Sequence, residues 1–141
     1  MNYLKDIIDY GVIGLLVFMS FLSVWFFIER LLFFWKLDVK KFATKEELEL
    51  KATSFLSLIA TIAASAPYVG LLGTVLGIIL TFYTMGQHGI VNTKEIMIGL
   101  ALALKATAMG LVVAIPATWM YNYLVRKVEV ALAKWDIEHA A

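Results

Sequence analysis

ATSFLSLIATIAASAPYVGLLGTVLGIILTFYTMGQHGIVNT, residues 52–93, carries no Asp, Glu, Lys or Arg across 42 consecutive positions. A water-soluble fold has no use for so long an uncharged run. A bilayer does, because ~20 apolar helical residues cross its ~30 Å hydrocarbon core. Outward from this stretch, Tyr10–Ile28 is uncharged for 19 residues, and Ile96–Val125 holds a single charge, Lys105. The whole chain agrees: 141 residues, 62% hydrophobic, 16% charged, with mean hydropathy +0.84. Soluble domains run about 45–50% apolar and ~25% charged. The sequence therefore predicts an all-α integral membrane protein with three transmembrane helices, a single membrane domain over residues 1–141.

Several function classes fall away on composition. A net charge of +1 leaves no basic face for nucleic acid. With no cysteine there is no disulfide, thiolate metal site or Cys nucleophile. His88 and His139 have no ligand-spaced neighbours and read as solvated surface residues, so no metal is expected. No Ser/His/Asp set, phosphate loop or suitably spaced carboxylate pair is present. The chain is not expected to be an enzyme or to need a cofactor. Its start, MNYLKDIIDYG, lacks a small-residue cleavage site and reads as the head of a retained helix.

Segment by segment, residues 1–9 form an outer amphipathic piece and 10–28 the first span. That span ends at Glu29-Arg30 and the aromatic group Phe33, Phe34 and Trp35, suited to a membrane interface. Residues 29–54 follow as a connecting segment whose middle is a short amphipathic helix. The second span covers 55–85, an outer turn 86–94, the third span 95–125 and a tail 126–141. As continuous helices the second and third spans measure ~45 Å, longer than the bilayer is thick, so one end of each projects into water. Ser54, Ser57, Thr61 and Ser65 put the projecting end of the second helix beside residues 29–54. Nine basic residues flank that side (Arg30, Lys36, Lys40, Lys41, Lys45, Lys51, Arg126, Lys127 and Lys134), against Lys5 and Lys94 on the other. The positive-inside rule places 29–54 and the tail in the cytoplasm and the N-terminus outside. Thr93 is the expected N-cap of the third helix. Pro67 and Pro116 are expected to kink their helices, with Ser65 and Thr118 available to the carbonyls they free.

The densest pattern is APYVGLLGTVLGI, residues 66–78. Gly70, Gly73 and Gly77 leave one helix face nearly bare, and the third helix answers with Gly99, Ala103, Ala106 and Gly110. Lipid gives helices little hydrophobic reason to associate, so small residues that permit close approach hold them together. The glycine faces are expected to set assembly of an oligomer. Thr74 and Thr107 each lie ~18–21 Å from the shared outer turn, and so at one depth. Each hydroxyl could satisfy itself on its own helix four residues back, or the two could mark a polar path with Lys105.

Residues 66–78, followed by ALKATAMGLVVAIPATWMYN at 103–122, resemble the ExbB/TolQ branch of the MotA/TolQ/ExbB proton-channel family. The resemblance covers the second and third spans and much of the first, including Glu29-Arg30. It implies a homopentamer in the bacterial inner membrane whose second and third helices line a central pore. An ExbD/TolR-type single-span partner sits in that pore, and proton flow drives motion relayed to a TonB- or TolA-type protein acting on the outer membrane. The family's pore threonines fall on Thr74 and Thr107. One position departs: five residues before Thr107, where the family usually has glutamate, this chain has Leu102, and Lys105 has no basic counterpart. The ExbB-type reading leads; a TolQ-like subunit of a Tol-Pal system and a passive scaffold without ion flow are the alternatives. A flagellar-stator-like subunit would need a larger cytoplasmic segment than 29–54.

Lys105 lies 12 residues into the third helix, ~18 Å below its outer end. A lysine at a helix centre costs ~2.5–3.5 kcal/mol on insertion scales and should be paired or hydrated. The apolar spans 10–28, 55–85 and 95–125 contain no carboxylate, so the expected counter-ion is an Asp of the ExbD-type helix. On a helical wheel Lys105 is ~60° from Leu102 and ~200° from Thr107. The lysine is expected to face the pore and Thr107 a neighbouring helix.

Overall fold

The computed structural model describes residues 2–89 and 91–140. Its helices are α1 (Asn2–Trp35), α2 (Lys45–Ala52), α3 (Leu56–His88) and α4 (Thr93–His139), with a 3-10 turn over Val39–Lys41. At 1.5 Å per residue α1 and α3 are ~50 Å long and α4 ~70 Å. Each of these three is long and apolar enough to cross a membrane.

The helices run past the boundaries the charge pattern suggests. Residues 2–9 and 29–35 are continuous with α1, and 126–139 continue α4. The turn between α3 and α4 is short. Gly89 ends α3 at φ 69°, a left-handed conformation that glycine adopts without strain. The N-cap of α4 is Asn92, not Thr93: its Oδ1 accepts from the amides of Lys94 and Glu95. Asparagine one residue earlier does the work expected of the threonine. Both prolines lie inside helices assigned without a break. Thr118 Oγ1 donates to the Ala114 carbonyl, so it does not serve the Val112 carbonyl that Pro116 leaves without its usual donor.

α3 and α4 form an antiparallel pair, and α1 lies along both. Leu16 and Met19 of α1 pack against Ile62 and Ala66 of α3 and Val113, Ala114 and Ala117 of α4. Farther along, Ala52, Leu56, Ile59, Leu124 and Val128 make a second cluster flanked by Phe26 and Phe27. Phe26 stacks on Phe55, and Phe27 meets Tyr123 edge-on. The outer surface stays apolar: Phe18, Phe21, Trp25, Leu72, Ile79, Leu104 and Val112 are all exposed. A bundle apolar inside and out fits hydrocarbon surroundings.

Candidate functional site: the α3–α4 seam and its charged outer cavity

Along the seam the backbones nearly touch. A Cβ added to Gly70 would fall 2.5 Å from the Ala106 carbonyl oxygen, and one on Gly110 2.6 Å from that of Ala66. Gly70 and Gly110 also face each other, 3.1 Å from built Cβ to opposing Cα in either direction. Gly73 sits against Ala106 and Val12, Gly77 against Ala103, and Gly99 against the Thr81 side chain. The expected small-residue packing is present, and it joins two helices of one chain. Gly70, Gly73, Gly77, Gly99 and Gly110 thus each meet residues of their own chain.

At the middle of the seam Thr74, 6% exposed, crosses from α3 to α4. Its Oγ1 donates to the Ala103 carbonyl at 2.8 Å, a better partner than its own-helix Gly70 carbonyl at 3.3 Å. Thr107 Oγ1 lies in hydrogen-bond contact with Thr74 Oγ1. A hydroxyl has one proton to give. With the Thr74 proton on Ala103, Thr107 donates to Thr74, which makes a directed chain from Thr107 through Thr74 to a backbone carbonyl. Other membrane-helix threonines behave differently: Thr61, Thr81 and Thr118 each bond the carbonyl four residues back.

Known proteins resemble this chain in sequence. Residues 36–137 match the MotA/TolQ/ExbB proton channel family. The chain belongs to that family. It is 58% identical over 139 residues to the biopolymer transport protein ExbB of Aquifex aeolicus, covering 99% of this chain and 94% of the relative. It is 53% identical over 136 residues to a putative ExbB-like 2 protein of Helicobacter pylori, covering 96% and 91%. Against the ExbB of Salmonella typhimurium the match is 47% over 70 residues, half of this chain and 29% of that one.

In this MotA/TolQ/ExbB family member Leu102 and Lys105 are exposed on a face of α4 turned away from the threonine pair. Both line a cavity of about 170 Å³ with Asp6, Asp9 and Tyr10 of α1 and Gly73 of α3. Lys105 makes no direct ion pair among the described residues. The expectation that its counter-charge must come from another chain rested on ending the first helix at residue 10. Helix α1 begins at Asn2 and brings two carboxylates of the same chain to the lysine's cavity.

The largest feature missed in the sequence is Arg30. It is 4% exposed, chelates the Glu29 carboxylate through Nε and Nη2 at 2.6 and 2.7 Å, and donates Nη1 to the Lys51 carbonyl at 2.6 Å. Its guanidinium also lies over the Phe33 ring, 4.4 Å from the centroid. A cation on the last carbonyls of α2 is favourable for the helix dipole. It pins the α2–α3 corner, where Phe55 holds φ 66°. A signal for α2 was available: Thr44 with Glu47 is a T-x-x-E start, and Thr44 Oγ1 accepts from the Glu47 amide at 3.1 Å. The end of α4 is tied to the same region by Lys45–Asp136 at 2.9 Å and by Trp135 Nε1 donating to the Phe42 carbonyl at 3.1 Å.

Proposed function

We propose that this chain is the ExbB-type subunit of an inner-membrane energiser driven by the proton motive force. The observation that carries the reading is the Thr74–Thr107 hydroxyl chain bridging α3 and α4, within one turn of Lys105, the single charge in residues 96–125. Threonines that only satisfied their own helices would not need a partner at matching depth. Five copies would line a pore with α3 and α4 and hold an ExbD-type single-span helix, passing motion to a TonB-type transducer. In that assembly the Thr107–Thr74 hydroxyl chain is the polar path along the α3–α4 seam, while Leu102 and Lys105 line the cavity against α1. Nine basic residues in 29–54 and the end of α4, against two on the other side, support a cytoplasmic position for both, with the long helices projecting there and the N-terminus periplasmic. The name of the relatives, biopolymer transport protein ExbB, supports this branch over a TolQ-like role in a Tol-Pal system.

The test is Lys105→Met together with Thr107→Val in cells that depend on energised outer-membrane uptake. Both proteins should reach the membrane at normal levels and fail to support uptake. Full uptake by both would leave the passive-scaffold reading standing. Impermeant labelling of cysteines introduced at Asn2 and Lys45 should mark opposite faces of the membrane; labelling from one face overturns the topology.

A further inference from the structure

We infer that Asp9, with Asp6 one turn farther out, supplies the counter-charge of Lys105 from within the same chain, making the first turns of α1 part of the ion-handling site. The inference rests on the energiser reading above and adds residues to it.

Two rulers place Lys105. Measured from the start of α4 it is ~18 Å deep. Measured against α1 it is shallow: Val12 packs at Gly73, where a built Cβ would be 3.0 Å from Val12 Cγ1 and 2.9 Å from Ala106 Cβ. Ala106 is the neighbour of Lys105, and Val12 is one turn below Asp9. The lysine thus lies at the level where α1 passes from charged to uncharged sequence. The uncharged stretch of α4 on its inner side, Ala106–Val125, is 20 residues, one bilayer's worth. Both helices change from charge-bearing to charge-free at the same height.

Charge is sorted at that height. The cavity holding Lys105 is lined by Asp6, Asp9 and Tyr10 and has room for several waters. A second cavity nearer the α3–α4 turn, about 370 Å³, is lined by Lys5, His88 and Glu95 among others. These seven are the titratable groups facing the two spaces. Opposite charges therefore meet across both: Lys5 of α1 opposite Glu95 of α4, and Asp6 and Asp9 of α1 opposite Lys105 of α4. The cavity leaves room for water between the Asp9 carboxylate and the Lys105 ammonium, so the pair is hydrated rather than in direct contact.

The test uses the full chain with its cognate partners. The chain has no cysteine, so Asp9→Cys with Lys105→Cys introduces the only pair in it. A short bis-maleimide should join them within one chain, leaving monomer mobility unchanged and both thiols blocked. A cross-linked dimer, or no cross-link, overturns the intrachain assignment. In the uptake assay Asp6→Asn/Asp9→Asn should lose uptake at normal membrane level while Asp9→Glu retains it. The exchange Asp9→Lys/Lys105→Asp should recover part of what either single change loses. Native uptake by Asp6→Asn/Asp9→Asn with an inactive Lys105→Met overturns this inference alone. Full uptake by both Lys105→Met and Thr107→Val overturns the energiser reading beneath it.

Discussion

Helix α1 and the α3–α4 seam both carry spaced glycines, and they use them in opposite ways. Gly11 and Gly14 face open space, with nothing within 4 Å of where a Cβ would stand. Gly70 and Gly110 are closed by opposing backbone. The same residue at similar spacing is dispensable space in one helix and the condition of contact in the other. Sequence spacing alone announces close approach; only the opposing backbone says which glycines are spent. The seam is where backbones approach most closely, and α1 packs on it through larger side chains such as Leu16 and Met19.

The strongest way to break this contrast is one methyl group. In Gly110→Ala the new carbon meets the Ala66 carbonyl, a backbone atom that cannot turn aside, so the helices must part. The expected cost is about 3 kcal/mol, the upper end of overpacking penalties, read as a lowered melting temperature in detergent and a reduced membrane level. Gly14→Ala should be neutral or gain about 0.5–1 kcal/mol from the poorer helix propensity of glycine. Equal behaviour of the two variants would refute the distinction.

Next in size is Arg30. Arg30→Met keeps apolar volume but strips the Lys51 carbonyl of its side-chain donor and the Glu29 carboxylate of its partner. A buried group left unsatisfied costs about 1–3 kcal/mol. The loss should be local: hydrogen exchange of α2 and the 53–56 corner speeds up while the amides around Gly70 and Gly110 stay protected. Uniform acceleration would mean the corner and the seam are one cooperative unit.

Smaller again is the threonine bridge. Thr74→Val is close in shape and removes the hydroxyl that Ala103 and Thr107 share. Interhelical hydrogen bonds in membranes average about 0.6 kcal/mol and reach about 1.7, so stability should fall slightly while uptake is lost. Thr81→Val removes only a bond to the Gly77 carbonyl of its own helix and should leave uptake unchanged. Parallel loss from both variants would make the hydroxyls structural rather than part of a path.

Much of this was legible in the sequence because it depends on periodicity. The three membrane helices, the glycine faces and the level placement of Thr74 and Thr107 follow from counting residues along a helix of fixed rise. What escaped counting depends on where chains meet. Asp6 and Asp9 looked like an exterior flank until α1 continued through them to the Lys105 cavity. Arg30 looked like one more inside-positive charge, although its burial against the Lys51 carbonyl 21 positions away makes it a structural pin. Residues 126–139 looked like a tail because Arg126 and Lys127 end the apolar run. Yet Val128 and Ala131 continue the buried face of α4, and Lys45 and Phe42 give its last turns something to hold.

The last of these contacts gives the weakest and most conditional prediction. Lys45 Nζ meets Asp136 Oδ2 at 2.9 Å, and the hydrogen bond and charge of Asp136 raise the Lys45 pKa above the ordinary 10.5. A raised lysine pKa means the folded state binds the proton more tightly than the unfolded one. The pair's contribution is therefore complete below pH 10.5 and disappears as pH climbs through the higher folded value. Both partners are solvent-accessible, so salt should weaken the pair as alkali does. Lys40–Glu138, at 3.6 Å, and the Trp135–Phe42 hydrogen bond share the load, so the end of α4 should loosen rather than detach. Spin labels on Glu46 and Ala133 would report this as a distance distribution that broadens above pH 10.5 and in high salt. Lys45→Met should be broad from neutral pH onward, and Lys45→Arg should stay narrow into alkali because a guanidinium keeps its proton there. A Lys45→Met distribution as narrow as the native one would mean that Trp135 and the Lys40–Glu138 pair hold the end of α4 without it.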